Sequence, residues 1–283
     1  MPDFDTPNPI TVTVHAELGA IRITAEDRAD TVVHVHPSSQ AKAADVKAAE
    51  QTRVEYSDGR LLVRTPKGRA LFGKPGSVLV EIALPSGSRL QGTAELADFT
   101  CAGRLGECRV KTGVGDIRVE RADTVQLVTQ YGDVSLDRAA GDATVSTGSG
   151  EVRIGEVDGT AEIKNSNGST QVGEVIGELR LKAANGKVFV GRAHTAVTLK
   201  SANGDVRVDE VIRGTADLAT GAGDMEIGIR EGTAAWLDVN SRAGSVRSTL
   251  EAADGPGESE ETVEVRARTG LGDIVIHRAA PQK

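Results

Sequence analysis

The chain has 283 residues, 39% of them apolar, only 2% aromatic, and 33 of them glycine. That length can bury a sizeable core, but so few aromatics among so many small residues point to thin, repetitive β layers rather than a bulky α/β core. The formal net charge of −8 excludes a general nucleic-acid binder, which gains its affinity from basic contacts to phosphate, and abundant Val, Leu and Ile exclude a disordered chain.

The first ten residues, from Met1 to Ile10, hold two acids, no basic residue and no apolar stretch, which is not the pattern of a signal peptide. No apolar run in the chain approaches the roughly 20 residues that span a bilayer. The expectation is a cytoplasmic protein with no membrane span. Two cysteines cannot frame a fold with disulfides. Strands are expected at 10–15, 20–24, 31–36, 53–56, 61–64 and 77–84, and one helix in the Ala-rich stretch 41–51. The Asp58-Gly59 pair suits a hairpin turn. Residues 1–90 therefore read as a β-rich N-terminal cap over the first coil's open edge, although Gly19-Ala-Ile-Arg-Ile23 already echoes the motif that follows. His34 and His36 share one strand face, with His15 on a candidate neighbour. No Cys or acid at ligand spacing joins them, so they read as exposed strand histidines, and no metal or other cofactor is expected.

From Gly115 onward one motif recurs: glycine, a polar residue, apolar, any, apolar. It is anchored at Gly115, Gly132, Gly150, Gly168, Gly186, Gly204, Gly223, Gly244 and Gly272, at intervals of 17, 18, 18, 18, 18, 19, 21 and 28 residues. Apolar residues recur five before each glycine, as in Ile163, Leu181 and Leu199, and seven before it, as in Leu179, Val197 and Leu237. The period within each segment is 2, so these side chains share one face. One 18-residue unit thus reads as strand, glycine turn, strand, corner. A single unit cannot bury its apolar face, whereas stacked units form continuous columns. The fold expected for residues 91–283 is an all-β parallel solenoid of about nine 18-residue coils, with an acidic insertion at 251–261 before the last coil. The competing arrangement is an antiparallel meander closing into a sandwich or barrel. A constant turn chemistry together with constant core columns favours the solenoid.

The Gly-Asp/Glu-Val-Arg-Val/Ile pattern after a Thr-Gly-x-Gly turn, together with Ser77-Val-Leu-Val-Glu-Ile-Ala-Leu-Pro-Ser-Gly-Ser88, resembles a bacterial β-strand-repeat family of candidate adhesins, a domain of unknown function. The likeness covers roughly residues 50–276. It implies a β-repeat fold and an adhesin-like role, and it supplies no catalytic residues.

Acids follow most of the turn glycines, as Asp116, Asp133, Glu151, Asp205, Asp224 and Asp273, and read as turn residues that bond nearby backbone N–H groups. Lys164, Lys182 and Lys200 share one offset from consecutive turn glycines, and Arg180 lies on the same outward face. This basic stripe suits a linear polyanion; its plainer reading is a solvated lysine face. Cys101 and Cys108 read as small core residues and free thiols, with a bridge across the corner as the alternative. Trp236, beside inward Leu237, should point outward, either under the acidic insertion or as a binding platform.

No nucleophile elbow, phosphate loop, dinucleotide fingerprint or zinc-protease motif occurs in the sequence. The leading reading is a non-catalytic scaffold or binding protein presenting a flat β surface, with an anionic polymer or a protein as partner. The alternatives are a self-assembling scaffold stacking end to end, instead of a monomer, and a glycan-active β-helix enzyme.

Overall fold

The computed structural model describes residues 3–66, 76–251 and 261–280. The chain forms two compact units, Met1–Ala140 and Gly141–Lys283. It is nearly all β, and a parallel β-solenoid.

The first unit comprises β1 (Asp3–Asp5), β2 (Thr11–Glu26), β3 (Asp30–Pro37), α1 (Ala43–Gln51), β4 (Arg53–Ser57), β5 (Arg60–Arg64), β6 (Val78–Pro85), β7 (Arg89–Val114), β8 (Ile117–Tyr131) and β9 (Val134–Ala139). Strand β2 unites the two segments expected at 10–15 and 20–24, because Gly19 takes φ 146° without leaving the strand. A Cβ there would lie 1.8 Å from the Val78 carbonyl oxygen, so the close approach of β6 requires glycine. β2 runs parallel to β7, from Thr11 opposite Arg89 to Ala25 opposite Gly103. On its other side it runs parallel to β5 and β6. β8 lies parallel to β7 and to β9. Two strands run the other way, β3 against β6 and β4 against β5, and β1, antiparallel to β3, again runs with the parallel set. The β4–β5 turn holds Asp58 at φ 51° and Gly59 at φ 72°, the pair of positive angles a two-residue hairpin demands.

The second unit comprises β10 (Ala143–Ser149), β11 (Val152–Val157), β12 (Ala161–Asn167), β13 (Thr170–Val175), β14 (Leu179–Asn185), β15 (Val188–Ala193), β16 (Val197–Asn203), β17 (Val206–Val211), β18 (Gly214–Ala222), β19 (Met225–Ile229), β20 (Ala234–Ala243), β21 (Val246–Ser248), β22 (Thr262–Leu271) and β23 (Ile274–Arg278). Each repeat contributes one strand to each of two parallel ladders. Ile163 lies opposite Leu181, Leu181 opposite Leu199, and Leu199 opposite Leu218, so the column predicted five residues before each glycine is real. Leu181 and Leu199 are buried, at 1% and 0% exposure. A fully buried side chain of this size contributes roughly 1.5–3 kcal/mol by removal from water.

Rung order departs from chain order at the end of this unit. β22 pairs with β18 on one side and β20 on the other, and β23 sits likewise between β19 and β21. The Leu218 column therefore continues to Ala267 and only then to Val239.

Candidate functional site

The strand register places Lys164 on β12, Lys182 on β14 and Lys200 on β16 directly opposite one another. Neighbouring strands lie about 4.8 Å apart, so the three ammonium stems form one row. Ser146 and Ala219 flank it. Beyond Ala219 the inverted rung order adds Arg268, which chain order had kept apart. Arg180 lies in the adjoining row, between Glu162 and Thr198. Two residues on from each lysine stand Ser166, Ala184 and Ala202, so low relief borders the row.

Carboxylates neutralise part of this charge. The Lys164 ammonium lies 2.6 Å from Glu162, Arg180 donates two bonds of 2.9 Å to Glu178, and Arg268 meets Asp238 at 2.6 Å. The hydrogen bond from Lys164, followed by the charges of Lys164, Lys182 and Arg180, holds the Glu162 carboxyl below its ordinary range. Among the described residues neither Lys182 nor Lys200 has a carboxylate partner. Their mutual repulsion in water is under ~1 kcal/mol at this spacing, which the fold carries without difficulty.

All nine turn glycines have positive φ, between 132° and 152°. At Gly186 an added Cβ would stand 2.2 Å from the Gly168 carbonyl oxygen of the preceding coil. The acids beside the turns form a ladder: the Asp133 N–H donates to Asp116, the Asp224 N–H to Asp205, the Asp273 N–H to Asp224 and the Ser245 N–H to Asp273, at 2.8 to 3.2 Å. Asp205 is held below the usual carboxylate range by Lys187 and then by the Asp224 N–H; Asp273 is held low first by the backbone and side chain of Ser245. These carboxylates cap the next coil's backbone, as turn aspartates do.

Sequence reasoning missed a polar column inside the core. Three residues before the turn glycines stand Thr112, Thr129, Thr147, Asn165, Thr220 and Thr269, all buried. Thr129 donates to Gly115 O at 3.0 Å, Thr220 to Gly204 O at 3.3 Å and Thr269 to Gly223 O at 3.1 Å. The signal was the Thr of the Thr-Gly-x-Gly turn. At Ala183 the column lacks a polar atom, and on either side of it Asn165 Oδ1 and Ser201 Oγ are buried without partners.

The second ladder carries a shallow concavity of about 610 Å³, lined by Lys187, Phe189, Asp205, Arg207, Glu226 and Val275 among others. Arg207 is held by Asp209 at 2.6 Å and Glu226 at 3.2 Å. Its signal in the sequence was Phe189, an aromatic residue in the outward column between Gln171 and Arg207. His34 and His36 stack at 5.8 Å on β3, while His15 lies on β2 against Thr93, so the three are not gathered. Among the described residues no group of three or more His, Cys, Asp or Glu is placed to hold a metal ion. Cys101 and Cys108 are buried and free, and a hydrogen bond with Cys101, then burial, pushes the Cys108 thiol up. Trp236 is 59% exposed among the described residues; of the predicted cover at 251–261, residues 252–260 lie outside them. No described helix is long and apolar enough to cross a membrane.

Parallel ladders, turn glycines and in-register columns define a β-solenoid repeat protein. The chain belongs to the Toastrack DUF4097 family, a family of unknown function whose model matches residues 8–279. Several solved structures are similar, three of them as follows. A candidate adhesin of Parabacteroides merdae shares 8% identity over 96% of this chain and 94% of that one, with a TM-score of 0.39. A candidate adhesin of Parabacteroides distasonis shares 10% over 97% and 95%, with a TM-score of 0.36. A candidate cell adhesion protein of Clostridium sporogenes shares 11% over 98% of each chain, with a TM-score of 0.23. No curated protein matches the chain.

Proposed function

We propose that this protein is a non-catalytic binding protein of adhesin-like character, in which residues 1–90 cap a ligand-presenting repeat region at 91–283. Its ligand is a linear polyanion lying along the row of Lys164, Lys182 and Lys200, beside Arg180. The observation that carries this reading is the in-register pairing of the three lysines, two of them without a carboxylate partner among the described residues. A ligand of repeating negative charge matches a repeating positive surface, and such exposed attraction is screened by salt.

The test is a panel of anionic glycans and teichoic polymers at low and moderate salt. The variant to set beside the parent is Lys164→Glu/Lys182→Glu/Lys200→Glu. Binding should weaken as salt rises and vanish in the variant, while the melting temperature stays near the parent value. The pair Lys182→Glu/Lys200→Glu should account for most of the loss, because Lys164 is already engaged by Glu162. No salt-sensitive ligand, or equal binding by the triple variant, returns these lysines to a solvated face.

A further inference from the structure

The β20–β21 rung carries the core columns out to an open edge. β20 pairs only with β22, and β21 only with β23, among the described residues. One rung inward the column positions Val265, Ala267 and Ile274 are 0% exposed. Their partners Leu237 and Val239 are half-buried, and Val246 is 45% exposed. The Ala234 N–H donates toward β22, to Glu261 O, at 2.8 Å. Strand alternation then turns the N–H and C=O groups of 235, 237 and 239 toward the open side. Unpaired backbone groups beside exposed core side chains make a template for another strand.

We infer that this edge is an interface, and that its occupant is β20 of a second copy of the chain, paired antiparallel. The outward row of β20 reads Trp236, Asp238, Asn240, Arg242. An antiparallel pairing centred on Asn240 sets Asp238 against the partner's Arg242, and Arg242 against the partner's Asp238. Opposite charges directly across a strand pair stabilise it, whereas like charges oppose it. Arg242 has no ion pair among the described residues, although Asp238 already meets Arg268. The pairing joins the same patch on both chains, so it closes after two copies.

The experiment is sedimentation equilibrium of the full chain over a concentration series, with melting curves for every variant. A concentration-dependent dimer is expected. Val239→Lys and Val246→Lys place charge in the edge and should each weaken association roughly tenfold or more; both sites are partly exposed, so each variant should melt near the parent. Arg242→Asp should weaken it less. Should Val239→Lys fail to fold, Val246→Lys alone decides. Hydrogen exchange adds a second measurement: the amides of Leu237 and Val239 should exchange fast in dilute protein and slow as the dimer forms. A monomer at every soluble concentration, a species larger than a dimer, or variants that associate as tightly as the parent overturn the inference. So does strong protection of those amides in the monomer, which would mean that the chain covers its own edge.

Discussion

The β5–β6 rung of the first unit and the β20–β21 rung of the second meet the same physical problem differently. Each is a parallel rung with a partner rung on one side. Over β5 and β6 the chain lays the antiparallel strands β4 and β3, and beneath them Val80 and Ile82 are 0% and 1% exposed. Over β20 and β21 no described strand lies, and the equivalent apolar positions reach the surface. The same alternating sequence is therefore a core or an edge according to what lies across its backbone. Composition cannot separate the two cases, because Leu179 and Leu237 occupy the same offset from their turn glycines.

The largest effect that can break this comparison is a matched pair of truncations. Leu179→Ala, at a fully buried site, should cost about 2–5 kcal/mol by lost transfer energy and cavity. Leu237→Ala, half-buried in the open rung, should cost clearly less in dilute protein. Denaturant melts with fitted slopes measure both, and equal losses would show that β20 is covered.

A smaller, local effect is set by pH. Asp273 accepts the Ser245 N–H and the Arg247 guanidinium, which ties the open rung to β23. Its folded-state pKa lies below the unfolded value. The resulting stabilisation is present at neutral pH and is lost as pH falls through the folded value. Hydrogen exchange, corrected for intrinsic rates, should show the Ser245 amide losing protection over that window. Asp273→Asn should remove the pH dependence; unchanged dependence would place the tie elsewhere.

The smallest effect concerns the interior column. Ala183→Thr should return a hydroxyl to the position between Asn165 and Ser201, stabilising the fold by about 0.5–1.5 kcal/mol, the worth of one net hydrogen bond. A lower melting temperature would mean that the column has no room there.

The solenoid was legible because three signals shared one period: the glycine turn, the apolar columns and the strand alternation. The register of Lys164, Lys182 and Lys200 followed from the same spacing. The buried threonines were harder to place, since a polar residue next to a turn reads as turn chemistry until its neighbour coil supplies a carbonyl. The concavity around Phe189 and Arg207 depends on side chains from four successive rungs, which no single repeat displays. The order of the last rungs was hidden for a different reason. Periodicity reports which residues are equivalent, and it is silent on which equivalent strand lies beside which. The 28-residue interval before Gly272 was the trace of that rearrangement.

That rearrangement bears on how the second unit assembles. Repeat arrays grow by adding each unit to the one before it. Leu237 of β20 follows Ala216 of β18 by 21 residues, whereas Val265, the native partner of Ala216, follows it by 49. Closing the shorter loop is the faster event. During refolding β20 should therefore reach β18 first and then yield its place to β22, a strand exchange at the end of an otherwise sequential zipper. A slow late phase should accompany it, and deleting residues 262–283 should remove that phase by leaving β20 on its first neighbour.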